Sequence, residues 1–287
     1  MNTGTARMQM NVNGAEIFFD VVGAQLMPAG DKLAARPTLL VLHGGPGYDH
    51  TTLRPYFDRF ADVYQVVYLD HRGCGRSTAP QETWHLDQWA DDVETFCAQL
   101  GIENPLVFGQ SFGGMVAMHY AARHPDHPAK VILSSTAARF LLDETVSVAT
   151  RLGGDRAGQV ARDFFTTPTL SGYDLYAEVC LPLYNRAPAE DGAAYRTWAI
   201  QRPEVTVHFF ENEMLEMDLR ASIAAISCPT LVLGGAEDPV TPARCSEEIA
   251  AAVGANARLE IFEGCGHGVH RDKPDEAEQM MRAFLAQ

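Results

Sequence analysis

Nowhere does the chain hold an apolar run near the ~20 residues that a membrane-spanning helix needs. Met1 to Asn13 carries one arginine and no apolar stretch of signal-peptide type, so neither a membrane nor a leader is expected. Positive charge is scarce: 22 Lys plus Arg stand against 37 Asp plus Glu, a formal net charge of −15. Such a surface repels phosphate backbones, so nucleic acid is not an expected partner. The six cysteines, at 74, 97, 180, 228, 245 and 265, form no CxxC pair and no metal-ligand spacing. Reduced thiols in a cytoplasmic protein are therefore expected, rather than a disulfide framework or a zinc site. Internal repeats, blocks of like charge and low-complexity tracts are also missing. What is there is a globular composition, 46% hydrophobic over 287 residues, enough to bury a sizeable core.

The periodicity alternates between strand and helix. Met8 to Val22 reads as a hairpin about an Asn13-Gly14 turn, followed by a loop rich in Gly, Ala and Pro that ends at Pro37. Thr38 to Leu42 is a continuous apolar run that suits a strand buried on both faces. Leu53 to Phe60 reads as a short helix, Tyr64 to Leu69 as a strand, and Leu86 to Leu100 as a helix stopped by Gly101. Strand Leu106–Phe108, helix Phe112–Arg123 and strand Val131–Leu133 follow. The alternation lapses over 137–222, where only helical patterns and loops are visible. It resumes with strand Thr230–Leu233, helix Ser246–Val253, strand Leu259–Phe262 and helix Asp275–Leu285. The expectation is an α/β fold whose mostly parallel sheet has helices on both faces, its core built from 1–136 and 223–287. The long insertion at 137–222 is expected to form a helical cap over the strand ends, where open α/β sheets bind ligands.

Three motifs fall at strand ends. Gly109-Gln110-Ser111-Phe112-Gly113-Gly114 fits G-x-S-x-G between a strand and a helix, the context in which that motif presents a nucleophile. Ser111 would stand at a helix N-terminus, where the dipole favours a forming anion. A serine needs a base, and Asp238 and His267 follow in chain order, each in a loop after a strand. Asp238 would fix the tautomer of His267, and His267 would take the serine proton. Glu237 and His270 are the nearest rivals for the acid and the base. His43-Gly44-Gly45-Pro46-Gly47 follows the first long strand, and its glycines let backbone N–H groups approach a ligand. The N–H groups of Gly45 and Phe112 are the two candidate donors to an oxyanion. That loop lacks the G-K-[ST] ending of a phosphate cradle. Asp70 to Ser77 (DHRGCGRS) reads as a structural turn whose charges hold neighbouring loops.

Together these residues resemble the α/β-hydrolase superfamily, and within it the proline iminopeptidases and their relatives. HGGPG at 43–47 matches that group's motif; DHRGCGRS resembles its D-Q-R-G-x-G-R-S, and GQSFGG at 109–114 its G-Q-S-W-G-G. The resemblance implies a helical cap and acidic side chains that hold a substrate's free amino terminus. Arg202-Pro203-Glu204-Val205-Thr206 is similar to the stretch that supplies one, which makes Glu204 a substrate-binding candidate beside Gly44. Many members carry a second acid directly after the catalytic one, where this chain has Pro239. Asp238 to Pro242 is closer to esterases and enol-lactonases of the wider fold, and Glu211, Glu213 and Glu216 are the acids left to replace the missing one. The expected reaction is acyl transfer to Ser111 and then to water, without metal or organic cofactor, on a small-molecule substrate. An N-terminal aminoacyl amide comes first, a small ester or lactone second, and a non-catalytic ligand binder is the remote alternative.

Overall fold

A computed structural model gives the architecture and describes residues 8–187 and 198–287. Apolar runs set the sheet. In β5 (Thr38–Leu42), Leu40 and Leu42 enter one hydrophobic core while Leu39 and Val41 enter the other. β7 (Leu106–Gln110) and β9 (Thr230–Gly235) divide their side chains in the same way. A strand with both faces buried must lie inside a sheet covered on both sides. The sheet has eight strands in the order β1-β2-β6-β5-β7-β8-β9-β10. The remaining members are β1 (Gln9–Val12), β2 (Ala15–Val22), β6 (Gln65–Leu69), β8 (Lys130–Ser134) and β10 (Ala257–Phe262). β1 and β2 pair antiparallel to their neighbours, and the other pairings are parallel. All the parallel strands therefore end at one edge, and the loops carrying His43, Asp70, Ser111, Asp238 and His267 leave from it.

Helices α1 (Leu86–Leu100) and α2 (Phe112–Arg123) pack on each other. α1 ends at Gly101, whose positive φ of 67° is the left-handed stop expected there. Between β8 and β9 come α3 (Leu142–Thr166), bent at Gly154, then α4 (Leu170–Val179), α5 (Pro203–Phe209) and the short α6 (Arg220–Ile223). No strand lies in this segment among the described residues, and 188–197 lie outside them. A bridge between Arg139 and Asp218 and a bond from Leu219 N–H to the Ala138 carbonyl join its two ends. After β9 come α7 (Ala243–Val253), α8 (Val269–Asp272) and α9 (Pro274–Leu285).

Two expectations are corrected. The loop before Pro37 contains a two-stranded hairpin, β3 (Leu26–Ala29) with β4 (Lys32–Ala35). Both of its strands are exposed, so no burial imposed an alternating pattern to read. Leu53–Phe60 is not one helix but two 3₁₀ segments, His50–Leu53 and Tyr56–Asp62, parted at Arg54 and Pro55. Proline lacks the N–H that would continue a helix, and it disfavours helical geometry in the residue before it. The cysteines are all buried and unpaired. Among the described residues no helix is long and apolar enough to cross a membrane, and no group of three His, Cys, Asp or Glu could hold a metal ion.

Candidate active site

Ser111 sits at the N-cap of α2 with φ 54° and ψ −120°, a region that L-residues rarely occupy. Its surroundings fix it there. The Ser111 N–H donates to the Ser134 carbonyl at 3.0 Å, and its own carbonyl accepts from the Thr136 hydroxyl at 2.7 Å and from the N–H groups of Gly114 and Met115. The turn has no room for side chains at the flanking glycines. A Cβ on Gly109 would collide with the Gly113 carbonyl, and one on Gly113 with the carbonyls of Leu42 and His43. The sequence G-x-S-x-G is thus required by close backbone packing between the elbow and β5. Phe112, the first residue of α2, is locked by edge-on contacts with Trp89 and Phe209 at centroid distances of 4.9 and 5.2 Å. Its N–H heads the helix, where no preceding turn supplies an acceptor.

The loop after β5 lies against this elbow. A Cβ on Gly44 would stand 3.3 Å from that of Ser111. His43 braces the loop from below: Nδ1 donates to the Gly44 carbonyl at 2.7 Å, and Nε2 accepts the His71 N–H at 3.0 Å. Burial lowers the pKa of His43, which keeps the ring neutral and able to do both. Gly45 has φ 126° and lines the cavity together with Gly44. The turn at 70–77 is structural, as expected. Asp70 accepts from His50 Nδ1 at 2.6 Å and from the Arg76 N–H at 2.9 Å, while Arg76 reaches Asp49 at 2.7 Å.

Asp238 and His267 meet as the chain order suggested. His267 Nδ1 lies 2.9 Å from Asp238 Oδ2 and 3.0 Å from Oδ1. The carboxylate is fully buried, and the N–H groups of Val240 and Thr241 and the Thr241 hydroxyl donate to it at 2.8–2.9 Å. It is held in one orientation, with His267 bound through Nδ1 and Nε2 left as the nitrogen that can exchange a proton. Ser111 and His267, 8% and 6% exposed, line one cavity of about 120 Å³. The rivals are not brought there. Glu237 is half-exposed and lies 3.7 Å from Arg186. His270 is buried on Tyr56 and Phe57, with neither nitrogen hydrogen-bonded.

Glu204, the expected substrate-binding acid, stands apart from the described cavity wall. Glu204 is exposed in the first turn of α5 and does not line the cavity, because the inward face of that helix is taken by Val205, Thr206 and Phe209. Glu213 caps α1 by accepting the Leu86 N–H at 3.0 Å, and Glu211 and Glu216 are exposed. The described lining holds no carboxylate at all. Beside Gly44, Gly45, Ser111 and His267 it is mostly apolar and phenolic: Met115, Phe164, Phe210 and Met214 with Tyr48, Tyr173, Tyr176 and Tyr184. Gln110, Asn185 and Arg271 are its strongly polar additions. None of these wall residues was legible in the sequence. Their spacing is that of ordinary helix faces and loops, and only the packing of α3–α5 over the strand ends brings them together.

Residues 37–274 match the family described as alpha/beta hydrolase fold. The chain is 26% identical to a proline iminopeptidase of Lactobacillus helveticus over 97% of both chains. It is also 26% identical to the strigolactone esterase of Arabidopsis thaliana, over 93% of this chain and 97% of that one. Among solved structures, the enol-lactonase from Burkholderia xenovorans superposes with a TM-score of 0.76 at 22% identity, covering 97% of this chain and 100% of that one. At that identity the likeness shows the fold.

Proposed function

The chain belongs to the alpha/beta hydrolase fold family, and from that premise we propose that it is a serine hydrolase of small carboxylic esters acting through an acyl-enzyme. One observation carries the reading: Ser111 and an Asp238-bound His267 open into a single apolar cavity whose described wall has no carboxylate. An ammonium group taken into such a cavity would meet no counter-charge among the described wall residues, and an unpaired buried charge is very costly. A neutral ester has no such need.

In the proposed reaction Ser111 Oγ attacks the acyl carbon while His267 Nε2 takes its proton. Negative charge collects on the carbonyl oxygen, where the N–H groups of Gly45 and Phe112 donate to it. The bond to the leaving oxygen breaks as His267 returns the proton to that oxygen, and the alcohol departs. Water then repeats the sequence on the acyl-serine. Asp238 stabilises the imidazolium throughout. Residues 137–222 act as the cap that closes the cavity. The six buried thiols support residence in a reducing compartment, and the cytoplasm is part of the proposal.

The second reading is an aminopeptidase, favoured by the HGGPG motif and the iminopeptidase relatives. A panel of short acyl esters, lactones, and prolyl and alanyl arylamides separates the two. Esters cleaved and arylamides untouched support the first, and the converse overturns it. Ser111→Ala should lose several orders of magnitude in kcat, since triad members act as a unit. An organophosphonate should label Ser111 in the native enzyme. Labelling elsewhere, or an active alanine variant, refutes the mechanism.

A further inference from the structure

The loop that carries the proposed Gly45 donor is built of residues that hold no shape by themselves. Glycine has the most backbone freedom to lose, and 43–47 has three glycines in five residues. Gly45 at φ 126° and Gly47 at φ 93° lie where L side chains are disfavoured, so the path of the loop requires both. The loop is nonetheless folded tightly on itself. A Cβ on Gly45 would stand 2.9 Å from the Gly47 nitrogen and 3.1 Å from that of Tyr48. Pro46 lies between the two glycines, and its ring fixes its φ. Residues 45–47 therefore move as one piece, and what fixes that piece fixes the Gly45 N–H.

It is held from two sides. On the side of the sheet, His43 Nδ1 donates to the Gly44 carbonyl at 2.7 Å, and the Gly47 N–H donates to Cys74 Sγ at 3.3 Å. On the other side lies the entry to α5, in the helical segment. The Arg202 N–H donates to the Gly47 carbonyl at 2.6 Å, and the Thr206 hydroxyl donates to the Pro46 carbonyl at 2.5 Å. Arg202 Nε adds a bond to the Gly75 carbonyl at 3.2 Å. The two surfaces touch directly: a Cβ on Gly47 would stand 2.5 Å from the Arg202 carbonyl oxygen and 2.6 Å from Thr206 Oγ1. Thr206 is buried, 6% exposed, so its bond is made away from solvent, where a hydrogen bond is stronger. Thr206 is the side chain of α5 that reaches the residue next to Gly45.

An oxyanion donor contributes when it already points to the place where charge develops. We propose that Thr206 is a positioning residue for the oxyanion hole. Its hydroxyl holds the Pro46 carbonyl, and through it the Gly45 N–H, so the hole is complete only while α5 is docked on the loop. The helical segment thus enters the chemical step and does more than enclose the substrate. This rests on the acyl-enzyme reading of Ser111 and Gly45 above, and not on which carbonyl substrate is cleaved.

The test uses Thr206→Val, which keeps the shape and loses the hydroxyl, and Thr206→Ser, which keeps the hydroxyl. With 4-nitrophenyl butanoate, Thr206→Val should lose about tenfold to a hundredfold in kcat at nearly native KM, the scale of a misplaced donor. Thr206→Ser should recover most of that loss. A butyl trifluoromethyl ketone adds to Ser111 as an oxyanion, whereas the corresponding trifluoromethyl carbinol cannot. The valine variant should bind the ketone about tenfold or more weaker, and the carbinol as the native enzyme does. Thermal melting checks that each variant is folded, and Thr206→Ala replaces the valine variant if that one does not fold. Native kcat and native ketone affinity in the valine variant overturn the proposal. A loss carried by KM, an equal loss for ketone and carbinol, or a serine variant no better than valine overturns it too, and makes Thr206 a wall residue only. If arylamides are cleaved in place of esters, the same comparison is read on the arylamide. Failure to cleave either class, with Ser111 unlabelled by phosphonate, sinks the acyl-enzyme reading itself.

Discussion

Two imidazoles that the proposed chemistry does not use are buried without the partners a cation would need. His270 has neither nitrogen hydrogen-bonded, and the Nε2 of His71 has no partner. Burial lowers both pKa values well below that of free histidine, and for His270 the neighbouring Arg271 and His267 push the same way. The sign follows from that direction. An unfolded chain binds a proton on each ring as pH falls through ~6.5, whereas the folded chain holds it off. Stability is therefore lost from ~6.5 downward, with a limiting slope of about 1.4 kcal/mol per pH unit for each ring. The melting temperature should drop between pH 7.5 and 5.5. His270→Leu, which fills a similar volume among Tyr56 and Phe57, should reduce that drop without abolishing it, because His71 still contributes. Equal drops in the native protein and the variant would show that His270 is paired or exposed in solution. Both rings lie near proposed site residues, His71 edge-on to Phe112 at 5.4 Å and His270 one turn from His267 in sequence.

Arg72 shows how one element is fastened to another. It is buried with Asp92 of α1, at 2.7 Å from Nε and 2.8 Å from Nη2. Its remaining donors go to Thr83 and to the carbonyls of Val12 and Asn13 at the β1–β2 turn. Asn13 and Gln88 complete the shell of Asp92. Arg72→Met would strand a carboxylate whose pKa burial already raises. The expected loss is about 3–5 kcal/mol in urea unfolding, and Arg72→Met with Asp92→Leu together should regain part of it. Equal stability of the single variant and the native protein would mean that water reaches Asp92. The element scale is also where the sequence was most readable. α1 and its Gly101 stop, the strand at 38–42 and the elbow at Ser111 each carry their cause locally, in apolar period, a left-handed glycine or a turn with no room for Cβ. Asp238 and His267 were readable because loops at strand ends converge whenever strands are parallel. Glu204 is exposed, and a similar motif does not say which side of a short helix faces inward. The exposed β3–β4 hairpin was missed because burial writes the pattern, and neither strand is buried.

At the scale of the molecule, the helical segment is held against the loops at the strand ends in two ways. Apolar contact is one, as where Phe209 meets Phe112. Polar ties are the other: the Thr206 hydroxyl donates to the Pro46 carbonyl, the Thr145 hydroxyl to that of Val240, and the His267 N–H to that of Tyr184. Asp272 is the point where these ties converge. Its buried carboxylate accepts the Gly266 N–H at 2.7 Å and the N–H groups of Arg186 and Ala187 at 3.0–3.1 Å. Both oxygens are used, one chiefly for the segment after Tyr184 and one for the loop that carries His267. An amide has only one accepting oxygen, so Asp272→Asn must turn an N–H group toward a donor. The expected result is local opening of the segment without global unfolding, since β5 and β7 are held by their own apolar contacts in the two cores. Amide exchange at Arg186, Ala187 and Gly266 should quicken by about tenfold or more, the scale of one lost charge-assisted bond, while the β5 and β7 amides keep their protection. kcat/KM should fall as well, because Tyr184 and Asn185 on the cavity wall precede the freed amides directly in sequence. If exchange quickens everywhere alike, Asp272 is holding the whole fold together. If it quickens nowhere, the segment is held by its apolar contacts, and the carboxylate is not what joins the two halves of the site.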